Sequence, residues 1–404
     1  MKLKVGVMFG GESVEHEISI ISAAQAMAAI DRDKYEVYPI YITKDRLFYS
    51  GDVLFDMDIY KDLKALEKKA TQVTFYRKGN GVVMSNINRG LFAKETNIDV
   101  AVLVMHGTNG EDGALQGYLE TLKLPYSGSD VIASAVGQDK VIMKHILENS
   151  GLPLTRWFWL YSNDFTKDKD MYVEKAKDLG FPVIIKPACL GSSIGITTAH
   201  NEDEFVSAIK ESSQYDRKLV VEKMVRELKE VNASVLGNAT KHKVSVLEEV
   251  YKADNEDILS FDKKYTAGNG KMGAKGGNTK GSGASKGMAS TARIIPANIS
   301  DAATTYITQL ASDTFKALGS SGVCRIDFMI DGESNDIYVN EINSIPGSLA
   351  FYLWEKSGVN FTELMDTLIK LAIDRKRDQE KMIFSYDTNV LSGFKSDSFG
   401  NKKR

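Results

Sequence analysis

The sequence predicts an α/β fold on three observations. Short β-branched apolar runs recur along the chain, at residues 4–9, 35–42, 100–105, 182–187, 219–224 and 231–236, each of the length of a buried strand. Stretches with helical spacing lie between them, as in a layered α/β protein. Near the C terminus two further runs, V-C-R-I-D-F-M-I and I-Y-V-N-E-I-N, flank a polar turn that begins at Asp331-Gly332 and read as an antiparallel hairpin.

Composition narrows the class. The chain has 404 residues, enough for two or three packed domains, and its 43% hydrophobic and 26% charged residues suit a globular protein. A net charge of -3 implies no broad basic surface, so no nucleic-acid partner is expected. The two cysteines, Cys189 and Cys324, lie far apart, and the second falls in a core strand, which argues for a reducing compartment without a disulfide framework. The opening apolar run is too short for a signal peptide, and no run approaches the ~20 residues of a membrane helix. A cytoplasmic, non-membrane protein is therefore expected.

In chain order, the strand at 4–9 runs into Gly10-Gly11-Glu12-Ser13 and a helix at 19–30, followed by the strand at 35–42. This β-α-β opening puts a glycine turn and a helix N-terminus where a charged ligand can sit. Glu15 lies in the turn, where a first-turn acid also serves the helix dipole. The strand at 100–105 empties into H-G-T-N-G-E-D-G at 106–113, whose glycines free backbone amides to face a ligand. A lone histidine there is more often structural, but the density of glycine and acid around His106 is unusual. After a turn at 127–130, helices are expected at 131–149 and 171–179. Lys186 then ends a strand and is followed by Cys189-Leu190-Gly191-Ser192-Ser193-Ile194-Gly195, a small-residue loop suited to covering phosphate. Glu222 and Glu230 flank a connector able to hold a nucleoside.

Residues 266–289 are rich in Gly, Ser and Lys and cannot bury a core. They read as a linker or, within a domain, as an active-site lid. Gly268, Gly270 and Gly273 match G-x-G-x-x-G, but no strand precedes them and no helix follows, so the match carries nothing. Helices are expected at 299–318 and 361–375, and a polar tail at 376–404. Across the C-terminal hairpin, Arg325 and Asp327 share one face, and Glu341 and Asn343 share a face of the partner strand. Two carboxylates and a carboxamide are ligands Mg2+ accepts while leaving positions for phosphate oxygens. A solvated hairpin face with one salt bridge satisfies the same spacing.

Together, H-G-x-x-G-E-D-G, K-P-x-x-x-G-S-S-x-G, Lys264-Tyr265 before the lid, R-x-D-F and N-E-I-N-x-x-P-G resemble, in this order, the D-alanine–D-alanine ligases of the ATP-grasp superfamily, from Gly10 to about Lys370. The resemblance implies a three-domain ATP-grasp ligase with a Rossmann-like N-terminal domain at 1–128, a central subdomain at 129–223, a catalytic domain at 224–375 and a tail at 376–404. It implies an acyl phosphate route to the D-Ala-D-Ala dipeptide of peptidoglycan, using ATP and two Mg2+, with Mn2+ able to substitute, in a homodimer. Lys140, Lys186 and Lys264 match phosphate lysines. Glu222 matches the adenine partner, with Lys223 and Val225 on the hinge, and Glu230 matches the ribose partner, behind a connector one residue longer than usual. Asp327, Glu341 and Asn343 match metal ligands. Glu15, His106 and Glu111 match the surroundings of the first D-alanine; Ser192 and Tyr265 link them to the lid; Arg325 and the Gly347 N–H match the oxyanion donors. The family's Ser-Leu pair for the second carboxylate falls on Tyr352 and Leu353, so Tyr352 or Ser348 is expected to take that role. Two alternatives remain at this point: an ATP-grasp ligase with another second substrate, and a non-catalytic nucleotide-binding module.

Overall fold

The computed structural model describes residues 2–87, 94–250 and 293–385, with 388, 389 and 392 beyond them. Lys264, Tyr265 and residues 266–289 lie outside the described residues. Three sheets carry the described chain.

The first sheet has seven strands, and its parallel heart is Tyr35–Ile42, Leu3–Gly10 and Val100–Leu103. These are the β-α-β strands expected from the apolar runs, with helix His16–Ala29 as the crossover. Strands Phe48–Ser50, Thr71–Lys78, Gly81–Asn86 and Glu95–Ile98 extend one edge in antiparallel fashion. The second sheet is antiparallel, in the order Thr197–Ala199, Val183–Pro187, Lys218–Lys223, Trp157–Tyr161. The third runs Arg293–Ile294, Glu248–Val250, Lys229–Gly237, Gly322–Ile330, Ile337–Asn343, with His242–Val244 paired at the side.

One expectation needs correction. The single helix expected at 131–149 is two, Val131–Gln138 and Lys140–Asn149. Asp139 stops the first with extended backbone, and its carboxylate accepts from the amides of Val141 and Ile142 to start the second. The break puts Lys140 on the first turn of a new helix, where its ammonium reaches the Leu190 carbonyl at 2.8 Å.

The last helix, Phe361–Gln379, begins with a capping box built on Asn360 and Glu363. Its Leu364, Met365, Leu368, Ile369 and Ala372 join Val5, Val7 and Val102 of the first sheet in one core. A separate core lies beneath the third sheet, around Val231, Ile326, Phe328 and helix Asp301–Ala317. The third sheet's polar face is thereby left to the cleft that it shares with the second.

Candidate active site

The hairpin of Gly322–Ile330 and Ile337–Asn343 pairs Asp327 with Glu341 and Arg325 with Asn343. A bulge follows, so that Phe328 faces Val339 and Asn340 is the extra residue. Asn340 and Glu341 are adjacent in sequence and would face opposite ways on a regular strand; here both line one cavity. Arg325 grips Asp327 with two hydrogen bonds, Nε to Oδ1 at 2.6 Å and Nη2 to Oδ2 at 2.7 Å. Burial works against the Arg325 charge, and the Asp327 pair outweighs it, holding the guanidinium well above its usual range. The Asn343 amide nitrogen donates to Asp327 at 3.1 Å, which leaves the amide oxygen as acceptor.

Lysines face this hairpin from across the cleft. Lys140 Nζ lies 3.6 Å from Glu341, and Lys186 donates to the Asn340 side chain at 3.1 Å. Behind them Glu222 is buried, with Lys186 at 3.3 Å, Lys144 at 3.4 Å and the Thr155 hydroxyl at 3.1 Å. Burial pushes the Glu222 carboxyl up, but the two ammonium groups prevail and hold it down to about 2. The Glu222 side chain thus braces Lys186 from beneath. On the hinge, Lys223 donates to the carbonyls of Gly180 and Phe181 at 2.6 and 3.1 Å, and Val225 is buried. Glu230 lines the cavity.

The N-terminal sheet supplies the far wall. Ser192, in left-handed backbone, donates its hydroxyl proton to Glu15, and both line the cavity. Gly107 sits against Glu15 with φ +71°; a Cβ there would fall 2.9 Å from the carboxylate. Glu111 accepts from the amides of Gly107 at 2.9 Å and Ile345 at 2.7 Å. Burial, then the charge of Glu15, pushes the Glu111 carboxyl up to about 8 against those two amides. His106 Nδ1 donates to the Ile345 carbonyl at 2.7 Å, so its Nε2 is the acceptor, 2.8 Å from the Ser22 hydroxyl. Ser22 in turn accepts from the Ser348 amide at 2.9 Å. Burial lowers the His106 pKa, consistent with this neutral form. The relay ties helix His16–Ala29 to the turn Gly347–Ala350, in which Ser348, Leu349 and Ala350 all have left-handed backbone.

The Tyr352 hydroxyl is engaged by the protein itself. A phenol has one proton, and that of Tyr352 goes to Glu248 at 2.9 Å. Glu248 is buried and also holds Asn232 at 3.0 Å and Arg293 at 3.2 Å. The Arg293 guanidinium lies over the Tyr352 ring, 4.6 Å from its centre. Leu353 and Ser348 are both buried.

The structure therefore gathers Glu15, Lys140, Lys186 and Ser192 around one cavity with Glu230, Arg325, Asp327, Glu341 and Asn343. His106, Glu111 and Glu222 stand behind that first ring. Sequence reasoning missed Ser22, Lys144, Asn232, Glu248, Arg293 and Asn340. For Lys144 a signal existed, since it lies one helical turn after Lys140. For Glu248 and Arg293 none did, because long-range strand pairing alone brings them together.

A family model described as D-ala D-ala ligase N-terminus matches residues 4–129, and one described as D-ala D-ala ligase C-terminus matches residues 146–280 and 283–370. The chain is 40% identical over 389 residues to a D-alanine–D-alanine ligase of Thermosipho melanesiensis, covering 96% of this chain and 98% of that one. Among solved structures it is similar to the D-alanine-D-alanine ligase from Coxiella burnetii, at 31% identity and a TM-score of 0.75 over 94% of this chain and 96% of that one. It is also similar to the VanG D-Ala:D-Ser ligase from Enterococcus faecalis, at 26% identity and a TM-score of 0.72 over 92% of this chain and 100% of that one.

Proposed function

The chain belongs to the D-alanine–D-alanine ligase family, and from that premise we propose how its residues divide the work. The fold is the ATP-grasp fold, and the reaction joins two D-alanines with conversion of ATP to ADP and phosphate, for peptidoglycan synthesis. The three sheets support a division at 1–128, 129–223 and 224–375.

The first D-alanine lies with its ammonium toward Glu15 and its carboxylate toward the nucleotide. Lys140 and Lys186, with Lys264, neutralise the phosphate oxygens, so that the carboxylate can attack the γ-phosphorus and release ADP. Glu222 takes the adenine amino group, with Lys223 and Val225 beside it on the hinge, and Glu230 takes the ribose. Divalent metal use follows from the family. The oxygen donors of Asp327, Glu341 and Asn343, set on one face opposite the lysines, fit hard cations. These residues would hold two Mg2+ ions, replaceable by Mn2+, whose charge polarises the phosphate oxygens.

The amine of the second D-alanine then attacks the acyl phosphate. The oxyanion that forms meets Arg325 and the Gly347 N–H, donors of a kind worth ~3 kcal/mol each. The oxyanion collapses and phosphate leaves, taking up the proton that the attacking amine gives up. Ser192 and Tyr265 position Glu15 and the first substrate; His106 and Glu111 hold the wall behind it. We place the reaction in the cytoplasm, in a homodimer. Among the described residues no helix is long and apolar enough to cross a membrane.

The observation that carries this reading is the convergence of Arg325, Asp327, Glu341 and Asn343 with Lys140 and Lys186 on one cavity. The test is ADP release across D-alanine, other D-amino acids and D-hydroxy acids, with each product identified by mass. Release of one ADP per D-Ala-D-Ala is expected. An ester product, or no product with any D-amino acid, overturns the reading.

A further inference from the structure

Three hydrogen bonds and a ring contact fix Arg293 and Glu248 at the edge of the cavity away from the phosphate lysines. Strand pairing sets Glu248 beside Asn232, Asn232 beside Asp327, and Asp327 beside Glu341. That row crosses the third sheet. Three inter-strand steps separate its ends by roughly 14 Å. Lys140 stands at the Glu341 end, and Arg293 at the Glu248 end. Phosphates held at the first end leave the second to a different anion.

Arg293 is built to receive one. Among the described residues, only its Nη1 has a hydrogen-bond partner; its Nε is shielded from water and so from a ligand, which leaves the Nη1 and Nη2 N–H groups to face one. The Glu248 ion pair and the Tyr352 ring hold the guanidinium plane in place. A fixed fork of N–H groups suits a carboxylate. Glu248 spends both oxygens on protein donors, namely Tyr352 and Asn232 on one and Arg293 on the other. Arg325, on the same cavity, is already forked onto Asp327.

Resting on the ligase reading above, we propose that Arg293, oriented by Glu248 and Tyr352, binds the carboxylate of the second D-alanine and selects for acceptors that carry one. The acceptor amine then lies toward Arg325, where the oxyanion forms.

The test is a competition between D-alanine and D-alaninamide as acceptors, with both dipeptide products measured by mass. D-Alaninamide has no carboxylate and cannot serve as the first substrate. The wild type should favour D-alanine. In Arg293→Met with Glu248→Gln, which leaves no buried charge unpaired, the preference should fall about 10- to 100-fold, the usual effect of losing a hydrogen bond to a charged group. Arg293→Lys keeps a cation against Glu248 but loses the fork, and should give a several-fold smaller preference; it decides the matter if the double variant does not fold. An unchanged product ratio in Arg293→Lys overturns the proposal. So does a rise in the ATP KM with the ratio intact, which would make Arg293 a phosphate ligand. Failure of the ligase reading is distinct, since the wild type would then give neither product.

Discussion

Removing the Ser22 hydroxyl strands two buried groups at once. Ser22 is 1% exposed, and its oxygen is the shared partner of His106 Nε2 and the Ser348 amide. In Ser22→Ala the imidazole loses a donor and the amide loses an acceptor, and the space left by one hydroxyl is too small for water. Each stranded group costs ~1–3 kcal/mol, so the turn Gly347–Ala350 loses on the order of 2–6 kcal/mol of local stability. The left-handed backbone of Ser348, Leu349 and Ala350 makes this turn dependent on such tethers. Amide hydrogen exchange reads the effect directly. Counting the stranded amide alone, Ser348 should exchange roughly 5- to 150-fold faster in the variant. Ser22→Cys, a weaker donor and acceptor, should fall between. Turnover should drop as well, because the Gly347 N–H sits on the same turn. A Ser348 amide as well protected in Ser22→Ala as in the wild type refutes the relay.

Three further outcomes are expected. Glu341→Gln should bind nucleotide yet lose at least about a thousandfold in turnover, and near-normal turnover at saturating Mg2+ would remove Glu341 from the metal set. The Glu111 carboxyl, pushed up to about 8 in the folded protein from an ordinary 4.5, keeps a proton that the unfolded chain releases. Stability should therefore fall as pH rises from about 4.5 to about 8, by up to ~5 kcal/mol; urea midpoints across that range should lose this slope in Glu111→Gln, and an identical slope in the variant would count against it. Tyr352→Phe should cost ~1.5–3 kcal/mol of stability through the lost bond to Glu248 but leave the acceptor KM within about twofold, so a tenfold rise would return the hydroxyl to the substrate.

The parts legible in the sequence were those governed by short-range pattern. Alternation put Arg325 with Asp327 and Glu341 with Asn343, and the pairing register agrees. The β-α-β opening followed from apolar runs alone, and the strand at 35–42 has the expected bounds. Four features were not legible. Asn340 reaches the cavity only because a bulge breaks the two-residue period. The helix break at Asp139 looked like continuous helical spacing, since a capping aspartate also occurs within helices. Strand Trp157–Tyr161 reads Trp-Phe-Trp-Leu-Tyr, with no polar alternation to mark it. The Glu248–Arg293–Tyr352 cluster joins residues about a hundred positions apart, which no local period encodes.

The return of the last helix to the first sheet bears on how the protein is made. Leu364, Leu368, Ile369 and Ala372 belong to the same core as Val5, Val7 and Val102. On the ribosome the first sheet is synthesised early, but the part of its core that residues 361–379 complete stays uncovered until they have left the exit tunnel. The N-terminal unit therefore completes its core late despite being translated first, and a nascent chain halted before residue 361 offers chaperones the surface that this helix would cover. Arg375 closes the arrangement, donating to the carbonyls of Tyr126 and Gly128 at 2.7 Å each, so that the C-terminal half of this helix latches the boundary at which the first sheet gives way to the rest.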